Sequence, residues 1–324
     1  MKLSRRNFLH LASVAALPAL SGVARAQTYP SRPVRIVVPF APGGSTDIIA
    51  RLIGQWLSER LGQQFVIENK PGAGSNIGTE VVVNAPPDGY TLLLIGASSA
   101  IKATLYEKLS FNFLRDITPV AGVISIPFIM AVNPSFPAKT VSEFIAYARA
   151  NPGKVNMASG GNGTAGHLSG ELFKMMARVN TVHVPYRGEG LAVTDVLGGH
   201  VQAMFGTMPA SIEHVRPGRL RPLAVTSARR SELLPGVPTV GDFVPGYETS
   251  ALQGVGAPKN TPAEIINGLN KEINAALADP KLKARVVDMG GTVLAGSPAD
   301  FGKLMADETE KWGKVVKFSG AKPD

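Results

Sequence analysis

The feature that most constrains this chain is a repeated change from a short apolar run to a helical pattern. The run Val34–Val38, enclosed by Pro33 and Pro39, has the composition of a buried strand. Residues 65–67 and 92–95 look like the next strands. Between the first two runs, apolar residues recur at helical spacing: Ile48, Ile49, Leu52, Ile53, Trp56, Leu57 and Leu61. This alternation predicts the α/β class, with mostly parallel sheets flanked by helices.

Three later segments carry residues that typically begin helices. Thr140 with Glu143 fits a capping box, in which a hydroxyl and a carboxylate each accept a backbone N–H across the first turn. Thr261 with Glu264 fits the same pattern, and so do residues 297–300. Helices are therefore expected to begin at all three places.

Residues 1–26 have the pattern of an export signal. Arg5 and Arg6 form a twin-arginine motif, the apolar run 11–23 follows, and residues 24–26 offer small residues for cleavage. The apolar run is shorter than the roughly 20 residues that span a bilayer. We therefore expect twin-arginine export, cleavage near Ala26/Gln27 and a soluble periplasmic protein.

Composition narrows the chemistry of the mature chain. With 0 Cys in the sequence, thiol catalysis, disulfides and cysteine-based metal sites are excluded. The formal charge is +9, and removal of the leader's four basic residues leaves 29 basic against 24 acidic residues, or +5. The densest basic group lacks interleaved aromatic residues, which favours a solvated face over a nucleic-acid surface: Arg216, Arg219, Arg221, Arg229 and Arg230. A mild positive charge favours anionic ligands.

The length remaining after residue 26 is enough for two lobes. Two segments could cross between them: the apolar stretch 120–132, which is broken by Pro127, and the strand-like stretch 247–258. If both cross, the first lobe takes residues 27–128 plus 250–324, and the second takes residues 129–249.

Three glycine-rich segments each follow a predicted strand and precede a helix. They are residues 39–47, 71–78 and 159–167. In open α/β sheets, ligands lie outside the carboxyl ends of strands, where glycines let backbone N–H groups approach an anion. A tight turn without a ligand is the alternative for any one of them. Three together, two of them rich in Ser, Thr and Asn, favour a binding cleft whose neutral donors suit a carboxylate.

The catalytic motifs are weak by comparison. Residues 161–166 match the GxGxxG pattern of dinucleotide-binding enzymes, but no acid closes the next predicted strand, 181–184, to hold a ribose. His167 is either a ligand donor or a packed histidine, and Asp47 more plausibly fixes its loop than acts as a base. We therefore expect no enzyme, cofactor or metal, with an NAD(P)-dependent oxidoreductase as the rival hypothesis.

Several segments, which occur in the same order as in the family, resemble the receptors of tripartite tricarboxylate transporters, also called Bug or TctC-like proteins. The matching segments cover nearly all of the mature chain: residues 39–47, 68–78, 87–90, 163–168, 184–188 and 223–227. The resemblance implies a two-lobed periplasmic-binding-protein fold, joined by crossover strands, that closes on a ligand. It also implies that a small carboxylate is held between two loops, largely by backbone amides and ordered water.

The resemblance also nominates ligand-binding positions. They are Phe40, Ala41, Pro42, Gly43, Gly44, Ser45, Asp47, Asn76, Ser98, Ser99, Ser159, Gly161, Asn162, Thr164, His167, Tyr186, Arg187 and Phe205. Arg187 is the candidate for a second carboxylate, since a guanidinium binds one bidentately; the alternative is an ordinary surface arginine.

Two departures from the family pattern leave the ligand open. Gly206-Thr207 stands where relatives often have an acid, and residues 252–254 lack an aromatic residue that is common there. The ligand is therefore a dicarboxylate, a tricarboxylate, an aromatic acid or an amino acid. Expected partners are the membrane permease subunits of a tripartite transporter and, for the precursor, the twin-arginine export machinery. A carboxylate-sensing protein without a permease is the alternative.

Overall fold

The strand–helix alternation is confirmed in the structure, a computed structural model that describes residues 29–72, 75–106 and 109–322. The export signal lies outside the described residues. The strands are β1 Val34–Val38, β2 Phe65–Asn69, β3 Thr91–Gly96, β4 Ile117–Val132, β5 Asn156–Ser159, β6 Val182–Pro185, β7 Ala203–Thr207, β8 Arg221–Val225, β9 Ser250–Pro258 and β10 Thr292–Val293. The helices are α1 Ser45–Leu61, α2 Asn76–Val83, α3 Ala97–Leu105, α4 Phe113–Asp116, α5 Val141–Ala150, α6 Ala165–Ala177, α7 Glu189–Leu197, α8 Met208–Val215, α9 Ala263–Ala278, α10 Pro280–Asp288 and α11 Pro298–Ser319.

The strands form two groups that share β4. In the first group β1 pairs in parallel with β2 and β3, and β9 joins β3 to β4. In the second group β5 pairs in parallel with β6 and β7, and β4 pairs with β7 and β8. The order along the sheet is β2-β1-β3-β9-β4-β7-β5-β6. We call the part that contains β1–β3 the first lobe and the part that contains β5–β7 the second lobe.

The shared strand β4 changes partners at one point. Residues 117–127 pair with β9, whereas residues 128–132 pair with β7 and β8. Pro127 has no N–H to donate to a neighbouring strand. It lies at this change of partners, where the regular pairing of β4 with β9 ends. The pairs with β4, β8, β9 and β10 are antiparallel, while the strands that precede the glycine-rich loops are paired in parallel.

Thr226 ties the strands together where they pass between the lobes. Its hydroxyl accepts from Phe128 N at 2.8 Å and donates to the Thr249 carbonyl at 2.7 Å. Its backbone N–H donates to the Phe128 carbonyl, and its own carbonyl accepts from Thr249 N. Thr226 is fully buried, so these four bonds leave none of the groups involved unpaired in the interior.

The three predicted helix starts have different outcomes. Ser297 and Asp300 form a complete capping box at α11, as expected. Thr140 caps α5, but Glu143 accepts from Lys139 N instead of Thr140 N. At the third place a helix begins as expected, with α9 starting at Ala263, but the capping box is absent: the Thr261 hydroxyl donates to the Pro258 carbonyl at 2.8 Å, and the N-cap residue is Pro262, which makes no side-chain cap.

The buried apolar residues form two clusters, and each cluster includes residues from both lobes. The largest fully buried side chains include Phe144, Phe173 and Phe205 of the second lobe and Trp312 of α11. The indole N–H of Trp312 donates to Glu308 at 2.7 Å, which satisfies the one polar atom of that ring. Within the described residues, no helix is both long and apolar enough to cross a bilayer.

Candidate ligand-binding cleft

The loop between β1 and α1 is fixed by one carboxylate. Asp47 is almost fully buried and accepts hydrogen bonds from Gly43 N at 3.0 Å and from the Arg51 guanidinium at 2.9 and 3.0 Å. Asn69, at the end of β2, donates to both Asp47 and the Phe40 carbonyl at 3.0 Å. The hydrogen bonds from Arg51 lower the pKa of Asp47 to about 2, so the carboxylate is ionised at neutral pH. The loop is thereby tied at both ends.

The residues between these ties face solvent. Ala41, Pro42, Gly43 and Gly44 are exposed, and a side chain added at either glycine would meet no atom within 4 Å. Gly43 has φ +87°, a conformation that glycine adopts without strain. The loop therefore presents backbone, not side chains, at the start of α1, where a partial positive charge favours anions.

The crossover strand β9 contributes a side chain to the same loop. Gln253 is buried and donates from Nε2 to Ser45 Oγ at 3.1 Å. Its Oε1 has no hydrogen-bond partner within the described chain, and neither has the buried hydroxyl of Ser99 in the first turn of α3. Buried polar atoms without partners are rare in folded proteins, which makes both atoms candidates for contact with a ligand.

The loop between β5 and α6 is held by neutral groups. Ser159 Oγ contacts His183 Nε2 at 2.6 Å and accepts from Gly161 N at 3.2 Å. Thr164 Oγ1 donates to the Gly161 carbonyl at 2.9 Å and caps α6 by accepting from His167 N. The two candidate loops are therefore fixed by different means, the first by an ionised carboxylate and the second by hydroxyls and imidazoles.

His167 lies behind this loop. It is buried, and its Nδ1 accepts from Gly163 N at 3.0 Å. Its ring stacks on that of His183 with centroids 3.6 Å apart. Burial lowers the pKa of His167 to about 3, so the imidazole is neutral at physiological pH. Of the two roles that the sequence left open, the contacts describe a packed histidine.

Lys102 of α3 connects the first lobe to the second-lobe loop. Its Nζ donates to the Asn162 carbonyl at 3.4 Å, although the side chain is buried. This contact brings α3 and the 159–167 loop to the same cleft. Sequence reasoning missed Lys102 because an isolated lysine in an apolar helix carries no recognisable pattern.

A cavity of about 190 Å³ lies between the second-lobe loops and the crossover strands. Its walls are Phe128, Gly160, Thr164, Ala165, Gly166, Glu189, Met204, Phe205, Thr207 and Ala251. Of the nominated residues, Thr164 and Phe205 line it directly. Glu189 and Thr207 were not nominated, although the sequence had marked residues 206–207 as a departure from the family pattern.

Other nominated residues lie elsewhere around the cleft. Asn76 begins α2 after the second glycine-rich loop, and Ser98 lies in the first turn of α3. The Tyr186 hydroxyl donates to Asp195 at 2.6 Å, and burial raises the pKa of Tyr186 to about 12. Arg187 is exposed and does not line the 190 Å³ cavity. The Tyr186 hydroxyl is therefore engaged within the second lobe, and the Arg187 side chain is exposed to solvent.

A second cavity, of about 440 Å³, lies on the other face of the crossover strands. Side chains alternate between the two faces of a strand. Ser125, Pro127 and Ser250 line this cavity, whereas their neighbours Phe128 and Ala251 line the cleft. Its other lining residues are 227–233 and Glu248 on one side and Val287 with 290–292 on the other. We call it the back groove.

Comparison with known proteins fits this geometry. The sequence profile described as "Tripartite tricarboxylate transporter family receptor" matches residues 49–320. The chain belongs to this family. Protein BugT of Bordetella pertussis (strain Tohama I / ATCC BAA-589 / NCTC 13251) is 38% identical over 318 residues, which is 96% of this chain and 98% of BugT.

Solved structures of similar proteins agree with the fold. R. palustris Rpa4515, solved with adipate, has 38% sequence identity and a TM-score of 0.83, over 91% of this chain and 100% of that one. MatC from Rhodopseudomonas palustris, solved with bound malate, has 32% identity and a TM-score of 0.79, over 89% and 100%. The predicted family resemblance and the two-lobed periplasmic-binding-protein fold are thus confirmed for this receptor-family member.

The contacts of Asp47 predict a stability effect with a defined pH dependence. At pH 7, Asp47→Asn is expected to lower the free energy of unfolding by about 1.5–3 kcal/mol, because it weakens charge-assisted hydrogen bonds. The pKa of Asp47 is lower in the folded than in the unfolded chain, so its contribution is present above roughly pH 5 and is lost as the pH falls towards about 2. The difference between wild type and variant should shrink over that interval.

Urea unfolding at a series of pH values measures this difference. The matched control is Asp307→Asn in α11, whose carboxylate pairs with Lys303 at the surface. Because exposed pairs contribute at most about 1 kcal/mol, the control should stay close to wild type. Equal stability of Asp47→Asn and wild type at pH 7 would show that the loop does not depend on this carboxylate.

Proposed function

We propose that this protein is an extracytoplasmic receptor that captures a small carboxylate between its two lobes and delivers it to a tripartite tricarboxylate-type permease. The observation that carries the proposal is the arrangement of the loops after β1 and β5. Both begin a helix, and both lie beside the crossover strands, through Gln253 to Ser45 on one side and through the Phe128–Ala251 cavity on the other. Relatives solved with adipate and malate bind acids of this class.

The proposed lobe boundaries follow the strand pairing. Residues 27–128 plus 250–324 form the first lobe and residues 129–249 the second. The change of partners along β4 and the ties made by Thr226 support this division. A hinge at these strands would leave the two sets of loops on separate bodies, so that a ligand touching both would favour the closed form.

Within this cleft we assign three roles to nominated residues and to Gln253, which the sequence did not nominate. The exposed backbone at residues 40–44 and the loop 159–167 would bind the first carboxylate. Ser99 and Gln253, which each hold a buried polar atom without a partner in the described structure, would contact the ligand directly. Arg187, exposed on the second lobe, stays the candidate for a second carboxylate of a longer ligand.

Binding without reaction is the proposed outcome of capture. Asp47 and His167, the groups that could act as a base, are engaged in hydrogen bonds to their own loops. The rival oxidoreductase would need an acid at the end of β6 to hold a ribose, and β6 ends in Pro185. A receptor that reports to a sensor instead of a permease would use the same cleft.

Export by the twin-arginine route is part of the proposal. The family match and the solved relative described as a periplasmic transporter support a periplasmic location. N-terminal sequencing of the protein recovered from the periplasm should begin at Gln27. A start at Met1 in that fraction would contradict cleavage.

The ligand class is testable by thermal unfolding of the chain from Gln27 with a panel of carboxylates and NAD(P). A ligand at 100 times its dissociation constant should add about 2.7 kcal/mol of stability. For a chain of this size each kcal/mol raises the midpoint by about 2–4 °C or somewhat less. We expect a rise of several degrees with one class of carboxylate. A rise with NAD(P) alone would contradict the receptor.

Closure of the two lobes about the crossover strands β4 and β9 can be tested by a substitution in the back groove. Closing the cleft separates the walls of the groove on the opposite face, so a bulky side chain in the groove should disfavour the open form. Ser250→Trp places an indole on the groove floor. We expect a smaller radius of gyration without ligand, and an affinity up to about tenfold higher if the closed form is about 10% populated in the free wild type.

Small-angle scattering and calorimetry of wild type and variant measure these two effects. Ser142→Trp, at an exposed position of α5, is the matched control and should change neither quantity. A folded Ser250→Trp variant with the wild-type radius of gyration and unchanged affinity would rule out closure about these strands. So would an identical radius of gyration of the wild type with and without saturating ligand.

A further inference from the structure

One ionisable side chain lines the 190 Å³ cavity in the described structure: Glu189. It is the first residue of α7, and it follows the exposed loop that contains Arg187. The other lining residues are apolar, glycine or threonine. A carboxyl group therefore lies in the wall of a cleft that the proposed function assigns to an acid.

Both carboxyl oxygens of Glu189 contact Thr207, in an arrangement that suits an ionised carboxylate. Oε1 accepts from Thr207 N, and Oε2 accepts from Thr207 Oγ1 at 2.9 Å. Both oxygens thus act as acceptors, and the position at the start of α7 favours a negative charge. Burial works in the other direction and raises the pKa of Glu189. A negative charge on Glu189 therefore carries a desolvation cost that the bonds to Thr207 offset only in part.

No cation balances this charge within the described residues. None of the ion pairs among the described residues involves Glu189. Arg187 is exposed, and Lys102 donates to the Asn162 carbonyl across the cleft. A carboxylate can accept about four hydrogen bonds, and Thr207 fills two of these positions. The remaining capacity is open to a group in the cavity.

A ligand group that enters this cavity meets a negative charge. A second ligand carboxylate there would be repelled, whereas an ammonium would supply both the missing positive charge and up to three donors. Gln253 Oε1, a buried acceptor without a partner in the described chain, lies on β9 two residues beyond the lining residue Ala251. Side chains two apart on a strand share a face, so this acceptor lies on the cleft side too.

We propose that Glu189 selects a ligand that carries an ammonium group in addition to its carboxylate, so that the cleft takes amino acids in preference to acids of the same carbon skeleton. This inference rests on the proposed function and names the ligand class within it. The ligand carboxylate binds the loop amides, and the ammonium binds Glu189.

Calorimetric titration of the chain from Gln27 with matched ligand pairs tests this assignment. The pairs are glutamate and glutarate, aspartate and succinate, and leucine and 4-methylpentanoate. For at least one pair, the wild type should bind the amino acid at least tenfold more tightly than its partner. Glu189→Gln keeps the shape but removes the charge, and it should reduce affinity for that amino acid at least tenfold. It should leave affinity for the partner acid unchanged or increase it.

Two controls separate selection from a loss of folding. Glu213→Gln, on the exposed face of α8 in the same lobe, should retain the wild-type preference. Unfolding of each variant without ligand verifies the fold, and Glu189→Asp, which keeps the charge on a shorter side chain, should retain part of the preference if Glu189→Gln unfolds.

The outcomes distinguish this inference from the proposed function. Carboxylates that bind without any preference for an amino group, or an amino-acid preference that survives Glu189→Gln, would overturn the role of Glu189 and leave the receptor in place. Tighter binding of the plain acid, weakened by Glu189→Gln, would mean that Glu189 is a protonated donor and would also overturn it. If neither acids nor amino acids bind, the proposed function itself fails, and this inference fails with it.

Discussion

The hydrogen bonds of Thr226 are the interaction on which the arrangement of the two lobes depends. The hydroxyl, the backbone N–H and the carbonyl of this one residue connect Phe128 on β4 to Thr249 before β9, all in the interior. Each buried group left unpaired there would cost about 1–3 kcal/mol, so the register of these segments is strongly determined. That register decides which side chains face each side. Phe128 and Ala251 face the cleft, and Pro127 and Ser250 face the back groove.

On this frame the two loops are fixed by different chemistry, with a consequence for binding. Asp47 neutralises Arg51 at the base of the first loop, so neither contributes a net charge to the exposed backbone. In the second loop, Ser159 and the neutral His167 accept hydrogen bonds from backbone N–H groups and so fix the loop without a charge. Under the proposed function, an anion would therefore meet a loop backbone that these contacts already order before it arrives. Little conformational entropy is then lost on binding, which favours affinity for a small ligand.

The parts of this molecule that follow from local pattern were predictable from the sequence, and the parts that need long-range contacts were not. Val34–Val38 is bounded as expected, because prolines and apolar periodicity act locally. A helix begins next to Thr261 as expected, but its capping box does not form, because the Thr261 hydroxyl donates to the Pro258 carbonyl instead. Glu189 was passed over because it lies 18 residues from Thr207, and only the packing of α7 against β7 brings the two together.

The missed residues share a physical property that explains why pattern failed to find them. Lys102, Gln253 and Glu189 are polar side chains at positions where burial costs stability. A prediction from residue propensities alone treats a polar residue at such a position as unfavourable. Burial of such groups costs stability, and under the proposed function a ligand would recover part of that cost at Gln253, whose Oε1 has no partner in the described chain. An unpaired buried acceptor would also penalise a ligand that cannot donate to it, and such a penalty is how the proposed cleft would distinguish one small acid from another.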